Sequence, residues 1–256
     1  MNTSSAPIPL HFSLARNIYA ATFEQAIIIL DGTSDKYISL VDDAAAFFSL
    51  ILKNAFVHQN DGLYYPVCAD QPDKNNNYDY WIRYFLDKKF ITQGSGNTHL
   101  AAPLQSGGLV GYRWDIKKSW KPFSVAPIMD TAKAFFLLAR VHRIIKRKGI
   151  LGVIMLIKKS APFGQATIPS EQEIEKLSAS VDAASLLYPK KTLCLAWAAT
   201  FVVLALRKKW QMNFVIGVQT NPFYAHAWAE TGAGTVINDD PLIAQALSVI
   251  FKQPYC

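Results

Sequence analysis

Three residues late in the chain have the types and the order that nucleophilic catalysis requires: Cys194, His226 and Asp239. A thiolate can attack a carbonyl carbon, an imidazole can move the proton, and a carboxylate can hold that imidazole in one tautomer. The intervals between the three suit a helix followed by two adjacent strands. The pattern predicts a cysteine-nucleophile site, in which the amide of Asn238 could replace the carboxylate.

The first of these residues lies at the start of an apolar run, Leu193 to Leu206, which predicts a helix of about four turns. Pro189 ends whatever precedes the run, and Thr192 is the predicted N-cap. Cys194 then falls in the first turn of the helix. There the helix dipole lowers a thiol pKa, and free N–H groups can hold an oxyanion.

Two β-rich runs predict the strands that would position the other two residues. Phe214–Val218 is expected to form a strand ahead of His226, and Thr235–Ile237 a strand that ends next to Asp239. Each of the three residues also has an ordinary explanation when it is taken alone. A cysteine in an apolar helix is commonly a small core residue, a histidine between Ala and Trp is commonly buried, and Asn-Asp-Asp is commonly a turn.

The surrounding sequence resembles the B protein of lasso-peptide biosynthesis, a leader peptidase of the transglutaminase-like cysteine peptidases. The resemblance covers residues 127–240 and rests on three short motifs: Cys194-Leu195, His226-Ala227-Trp228 with Glu230, and Asn238-Asp239. It implies that Cys194 is the nucleophile, His226 the general base and acid, and Asp239 the orienting carboxylate.

The chain departs from the family pattern at two places. Ala196-Trp197 follow Cys-Leu where Arg-Ser is frequent, so the resemblance assigns no role to those two positions. The segment 231–234, between the histidine and the carboxylate, is one residue longer than usual. The third catalytic residue, which orients the histidine, could therefore be Asn238 or Asp240 in place of Asp239.

The first hundred residues predict strands, then helices, then a strand. Ala26–Leu30 and Tyr37–Leu40 read as a hairpin, and Tyr78–Lys89 reads as a helix. This order is typical of a winged helix-turn-helix, and the segment resembles the PQQ-D-like element that binds leader peptides in ribosomal-peptide modification. The resemblance implies that a leader adds to the third strand, against the third helix. The residues expected to line that groove are Tyr37, Ile38, Tyr80, Arg83 and Tyr84.

The distribution of charge argues against a nucleic-acid partner for this segment. Residues 1–99 hold seven Lys/Arg and ten Asp/Glu, whereas residues 100–160 hold twelve and two. A duplex reader has to neutralise several phosphates, so an acidic winged helix is a poor candidate. A winged-helix regulator is the weaker alternative, which steeply salt-dependent duplex binding would support.

Composition bounds the remaining expectations. Three widely spaced cysteines support neither a disulfide framework nor a zinc site. No signal peptide and no apolar run of about 20 residues is found, so a cytoplasmic protein without a transmembrane segment is expected. The chain has no Walker-type loop, so no cofactor of its own is expected. The resemblance implies a precursor peptide and an asparagine-synthetase-like cyclase as partners, with ATP required through that cyclase.

Together these observations predict an α+β chain: an N-terminal winged helix-turn-helix (PQQ-D-like) domain and a C-terminal transglutaminase/papain-like cysteine peptidase domain. The expected divisions are 1–95 for leader recognition, 96–126 for a linker rich in Gly, Ser and Pro, and 127–256 for the peptidase. Two other functions stay open. The same three residues could transfer an acyl group to an amine, as a transglutaminase does, or the chain could bind and present a peptide without catalysis.

Overall fold

The computed structural model describes residues 9–58, 62–67, 77–101, 109, 112, 114, 126–161 and 165–253. The chain divides into two compact units, residues 1–31 with 36–102 and residues 32–35 with 103–256. Both units contain helices and strands, which confirms the mixed α and β content. The division at residue 102 falls inside the predicted linker 96–126, most of which lies outside the described residues.

The first unit is built around a three-stranded antiparallel sheet in the order β2-β3-β4. Its strands are β2 Ile18–Thr22, β3 Ala26–Asp31 and β4 Lys36–Val41. The β3–β4 pair is the predicted hairpin, with Ile29 opposite Ile38. The middle strand is buried on both faces, which explains its unbroken apolar sequence.

The other elements of the first unit surround one apolar core. Phe48, Phe56 and Phe85 are fully buried there. The remaining elements are β1 Phe12–Leu14, α1 Asp42–Lys53, β5 Phe56–His58, β6 Tyr64–Pro66, α2 Asn77–Asp87 and β7 Ile91–Gln93. Strand β1 pairs with β7, and β5 pairs with β6, in both cases antiparallel. The helix predicted from Tyr78 to Lys89 is thus confirmed, with slightly earlier limits.

Three helices of the second unit pack together, and one of them carries the cysteine. They are α3 Ile128–Ser160, α4 Glu171–Leu187 and α5 Cys194–Arg207. Helix α3 bends at Gly149, where φ is 55° and ψ is −152°. Helix α5 packs against α3, α4 and the sheet, and every residue from 196 to 206 is buried. A helix enclosed on all sides has no polar face, which accounts for its uniformly apolar sequence.

A four-stranded antiparallel sheet in the order β10-β9-β8-β11 completes the second unit. Its elements are β8 Met212–Gln219, β9 Tyr224–Thr231, β10 Val236–Ile237, α6 Ile243–Ala246 and β11 Ser248–Gln253. The two strands predicted on either side of His226 are thereby confirmed as β8 and β10. His226 itself lies on β9, opposite Gly217 of β8. No helix in the described ranges is long and apolar enough to span a bilayer.

Candidate active site

Cys194 is the first residue of α5, as the apolar run predicts, and its side chain is half-buried. The predicted cap is wrong. Leu193 takes the N-cap position in an extended conformation and makes no side-chain cap bond. The Thr192 hydroxyl is buried and has no hydrogen-bond partner in the structure. The helix therefore begins without a capping side chain.

Strand β9 presents His226 on the same face as Trp228 and Glu230, because alternate residues of a strand share a face. The imidazole is 1% exposed. It stacks between the rings of Tyr224 and Trp228, with centroid distances of 6.0 and 6.1 Å. Because an aromatic ring lies on each side of the imidazole, the plane of the imidazole and the directions of its two nitrogen atoms are fixed.

Next to the histidine along β9, Trp228 and Glu230 form a hydrogen-bonded pair, which accounts for the rest of the His-Ala-Trp-x-Glu motif. The Trp228 indole N–H donates to Glu230 Oε1 at 2.9 Å, inside the buried part of the sheet. Glu230 is only 4% exposed, and Lys252 Nζ contacts its other oxygen at 2.6 Å. A buried carboxylate is tolerated when it is paired and hydrogen-bonded. Trp228 is thereby held in the orientation that supports the imidazole.

Asp239 lies against the histidine, and the two alternative residues do not. His226 Nε2 is 2.7 Å from Asp239 Oδ2. The amide of Asn238 instead donates to both carboxylate oxygens of Asp182, at 3.1 and 3.3 Å. Asp240 Oδ1 accepts from the backbone N–H of Leu242 at 2.9 Å. The structure therefore brings together the combination Cys194, His226 and Asp239.

The thiol of Cys194 hydrogen-bonds the His226 imidazole. Because Nε2 faces Asp239, Nδ1 is the nitrogen left for the thiol. Burial raises the pKa of the Cys194 thiol, but the hydrogen bond and charge of His226, with backbone N–H groups of Ala227 and Leu195, outweigh it and leave that pKa below its ordinary value. These directions favour the thiolate.

The pKa of the His226 imidazole is shifted in the opposite direction to that of the thiol. Burial lowers the pKa of His226, but its hydrogen bonds to Asp239 and Cys194 and the charges of both groups outweigh burial and raise that pKa to about 9. A lowered thiol pKa and a raised imidazole pKa together favour a thiolate–imidazolium pair. Such a pair can attack a carbonyl carbon and then give a proton to a leaving amine.

Two tyrosines complete the surroundings of the pair, and neither was found from the sequence. The Tyr112 hydroxyl donates to Asp239 Oδ1, and the Tyr224 hydroxyl lies 3.4 Å from His226 Nδ1. Burial is the main reason that the pKa of Tyr112 is raised and the pKa of Tyr224 is raised to about 12. Both phenols therefore remain protonated donors at neutral pH.

Tyr112 belongs to a segment that the sequence assigned to a linker. Leu109 precedes it, and the Gln219 side chain accepts from the Leu109 N–H at 2.7 Å and donates to the Leu109 carbonyl at 3.1 Å. Trp114 follows, with its ring 6.4 Å from the rings of both Trp197 and His226. A Gly- and Ser-rich stretch carries no periodicity, so no sequence signal indicated that these side chains lie over the histidine.

The five residues expected to line a leader groove all lie in the first unit. Tyr37 and Ile38 are on β4, which pairs with β3 and is an edge of its sheet in the described structure. Tyr80 of α2 is 60% exposed and stacks on Tyr84 at 6.2 Å. Ile38 and Tyr84 also pack against the apolar core. Arg83 is engaged within the unit: it pairs with Asp79 at 2.7 Å and donates to the Gly62 carbonyl.

Among the described residues, no group of three or more His, Cys, Asp or Glu side chains could hold a metal ion. The site as described consists of a thiol, an imidazole, a carboxylate and two phenols. The chemistry that this set supports is acyl transfer through a thioester. The expectation that this chain carries no cofactor stays a prediction.

Comparison with known proteins relates the second unit to a described family. Residues 136–252 match the family model of the transglutaminase-like superfamily. The chain is also similar to the Microcin J25-processing protein McjB of Escherichia coli, at 32% identity over 121 residues. That alignment covers 46% of this chain and 57% of the relative, so the chain spans little more than half the length of the curated protein that it matches. No solved structure matches the chain.

Proposed function

We propose that this chain, whose residues 136–252 match the transglutaminase-like superfamily model, is a cysteine peptidase that cleaves the leader from a ribosomal precursor peptide during lasso-peptide maturation. The observation that carries the proposal is the hydrogen-bonded series Cys194, His226 and Asp239, with the cysteine at the start of a buried helix. The relative McjB is named for processing microcin J25. We extend a processing role to this chain.

In the proposed reaction, the Cys194 thiolate attacks the carbonyl carbon of the bond between leader and core. The tetrahedral oxyanion is held by free N–H groups in the first turn of α5, which lack partners within the helix. When the intermediate collapses, the C–N bond breaks and His226 gives its proton to the departing amine of the core peptide. The leader is left as a thioester on Cys194.

The second half of the reaction releases the leader. His226, now neutral, takes a proton from a water molecule as that water attacks the thioester carbonyl. The C–S bond then breaks, the leader leaves with a new carboxylate, and the thiolate–imidazolium pair is restored. Asp239 does not change its protonation state in either half. It fixes the imidazole tautomer through Nε2 and stabilises the charged ring.

Recognition of the leader is assigned to the first unit, which we interpret as a winged helix-turn-helix of the PQQ-D-like kind. An extended leader would add to the outer edge of β4 by backbone hydrogen bonds, with side chains packed toward α2. The edge position of β4 and the exposed Tyr80 support this assignment. The proposed contacts are Tyr37, Ile38, Tyr80, Arg83 and Tyr84.

The freed core amine is the reactive group that a second enzyme would close into a ring. We propose an asparagine-synthetase-like lasso cyclase as that partner, and ATP as a requirement of the cyclase alone. On this account the peptidase works in the cytoplasm, binds no nucleic acid and needs no cofactor of its own.

The test is cleavage of a cognate lasso precursor peptide in water enriched in oxygen-18, with and without the cyclase. Hydrolysis by the proposed route places one heavy oxygen in the new carboxylate of the leader, which mass spectrometry detects. An added primary amine that appears as a leader amide would identify acyl transfer instead. Tight binding of the precursor with no cleavage under either condition would leave a non-catalytic peptide-presenting protein.

A further inference from the structure

One buried carboxylate in the second unit has no part in the reaction just described. Asp182 lies in the middle of α4 and is 6% exposed. Its Oδ1 accepts a hydrogen bond from the indole N–H of Trp197 at 2.7 Å. The same carboxylate accepts from the side-chain amide of Asn238, at 3.1 Å on Oδ1 and 3.3 Å on Oδ2.

Burying a carboxylate is costly even where it accepts hydrogen bonds. Taking an ionised group out of water carries a large penalty, and an apolar side chain of similar volume is frequently as stable or more stable at such a site. Stability of the packing between α4 and α5 is therefore a weak explanation for an aspartate here. The residues to which Asp182 is bonded offer a better one.

Each of the two donors is adjacent to one member of the catalytic set. Trp197 lies three residues after Cys194, one turn further along α5, and its ring stacks on Phe201 at 5.3 Å. Asn238 directly precedes Asp239 in the chain. The carboxylate of Asp182 thus bonds to the helix that carries the thiol and to the turn that carries the orienting carboxylate.

The backbone at Asn238 makes the second of these bonds important for alignment. Its φ is 54°, in the left-handed region that asparagine tolerates better than most residues but that still requires support. The direction in which the chain leaves Asn238 sets where the Asp239 side chain begins. An amide anchored to a carboxylate of α4 holds that direction in place.

We propose that Asp182 is a positioning residue, which aligns Cys194 and Asp239 on either side of His226 by holding Trp197 and Asn238. This inference rests on the proposed function, because alignment matters only if the three residues act together. Asp182 touches neither the substrate nor the reacting atoms. A displacement of about 1 Å in a catalytic group can reduce a rate by about a hundredfold, so a distant anchor can govern turnover.

The test is the substitution Asp182→Leu, which keeps the branched shape and the number of side-chain heavy atoms and removes both acceptors. We expect kcat for leader release to fall about tenfold or more, while the KM and the affinity for the precursor stay unchanged. Asp182→Asn keeps one oxygen that can accept both bonds, and it should retain most of the activity. Ser180→Ala is the matched control, because Ser180 is equally buried in α4 and its hydroxyl donates only to the Lys176 carbonyl.

A second readout needs no substrate. The titratable groups that face the imidazole are Cys194 on α5, Tyr224 on β9 and Asp239, which Tyr112 also contacts. If Asp239 moves away, His226 loses a bond and a charge that raise its pKa, and a less stable imidazolium lowers the pKa of the Cys194 thiol less. The acid limb of the pH profile of Cys194 alkylation in Asp182→Leu should therefore shift to higher pH.

The two readouts separate failure of this inference from failure of the proposed function. A lower melting temperature for Asp182→Leu, with unchanged kcat and an unchanged alkylation profile, would overturn the positioning role. If Asp182→Leu does not fold, Asn238→Gly removes the amide anchor but permits the left-handed backbone. A wild-type kcat and profile for that variant would overturn the proposal equally. A wild-type protein that cleaves nothing refutes the peptidase, and the alkylation profiles still decide whether Asp182 aligns the pair.

Discussion

The opposed pKa shifts of Cys194 and His226 favour a thiolate–imidazolium pair. The pKa of Cys194 lies below its ordinary value, so its thiolate persists to lower pH than the thiolate of an ordinary cysteine does. The pKa of His226 is raised to about 9, so the imidazolium persists until pH rises through that value. Iodoacetamide should therefore alkylate Cys194 at pH 6 much faster than it alkylates an ordinary thiol.

His226→Ala should abolish that reactivity. Burial, which raises the pKa of the thiol, would then act without the hydrogen bond and charge that outweigh it. Alkylation at pH 6 should fall at least about tenfold, followed residue by residue through peptide mapping so that Cys68 and Cys256 are not counted. Equal alkylation profiles for the two proteins would show that no ion pair forms.

The neighbouring residues Asp239 and Asp240 provide a controlled test of which carboxylate orients His226. Asp239→Asn removes the charge that stabilises the imidazolium, and we expect kcat to fall by about a hundredfold or more with a lowered His226 pKa. Asp240→Asn changes the next residue, whose carboxylate accepts from the Leu242 N–H, and should have little effect on kcat. A histidine titration by NMR gives the pKa. The reverse order of effects would move the orienting role to Asp240.

At the scale of elements, the sequence predicted what local patterns encode. The apolar run of α5 and the β-rich runs of β8 and β10 lie where expected, because burial on all sides and strand pairing both leave marks in a few consecutive residues. The contacts of Asp182 and Tyr112 join residues that are far apart in the chain. No local pattern reports such contacts. The cap predicted at Thr192 was wrong, because Leu193 takes that position and makes no side-chain cap bond.

Strand β8 supports the histidine through a close approach that only glycine allows. A Cβ atom at Gly217 would lie 2.7 Å from ring atoms of Trp228 and from Leu247 Cβ. Because Trp228 stacks on His226, Gly217→Ala should lower both stability, by about 1–3 kcal/mol, and activity. Thermal unfolding and single-turnover kinetics measure the two effects.

The matched control for that substitution is Gly232→Ala, at the other end of the same pair of strands. A Cβ atom there would lie 3.1 Å from Gln211 Cβ and Oε1, a smaller overlap than the 2.7 Å contacts at Gly217. Its effect on both measurements should be smaller. If Gly232→Ala were the more damaging change, the packing of Trp228 against β8 would not be what holds His226.

At the scale of the whole chain, the proposed roles of leader recognition and peptide cleavage belong to different units. The family match begins at residue 136, so the winged-helix interpretation of the first unit stays a prediction. Its short strands are common to many folds, and sequence patterns of this length do not distinguish among them. The separation of roles nevertheless has a direct consequence for exposed residues of α2.

Tyr80→Ala should weaken binding of the leader and leave the chemistry intact. Tyr80 is largely exposed and stacks on Tyr84, so it can offer an aromatic face to a peptide. A Kd increase of about threefold to tenfold is expected by fluorescence anisotropy with a labelled leader, corresponding to about 1 kcal/mol. The cleavage rate at saturating precursor should not change.

Lys53→Ala, which changes an exposed residue in the last turn of α1, is the control for that measurement. It should bind the leader as the wild type does. Equal affinities for Tyr80→Ala and the wild type would remove α2 from the proposed groove, whereas a lower saturated rate for Tyr80→Ala would contradict the separation of roles.

The central claim is that Cys194 cleaves the precursor peptide, and single-turnover cleavage tests it most directly. Excess enzyme is mixed with a cognate precursor, with and without the cyclase, and the products of wild type and Cys194→Ala are compared by mass spectrometry. The account predicts leader release by the wild type, and a variant that binds the precursor but releases no leader. Cleavage by Cys194→Ala at the wild-type rate would contradict it and place the nucleophile elsewhere.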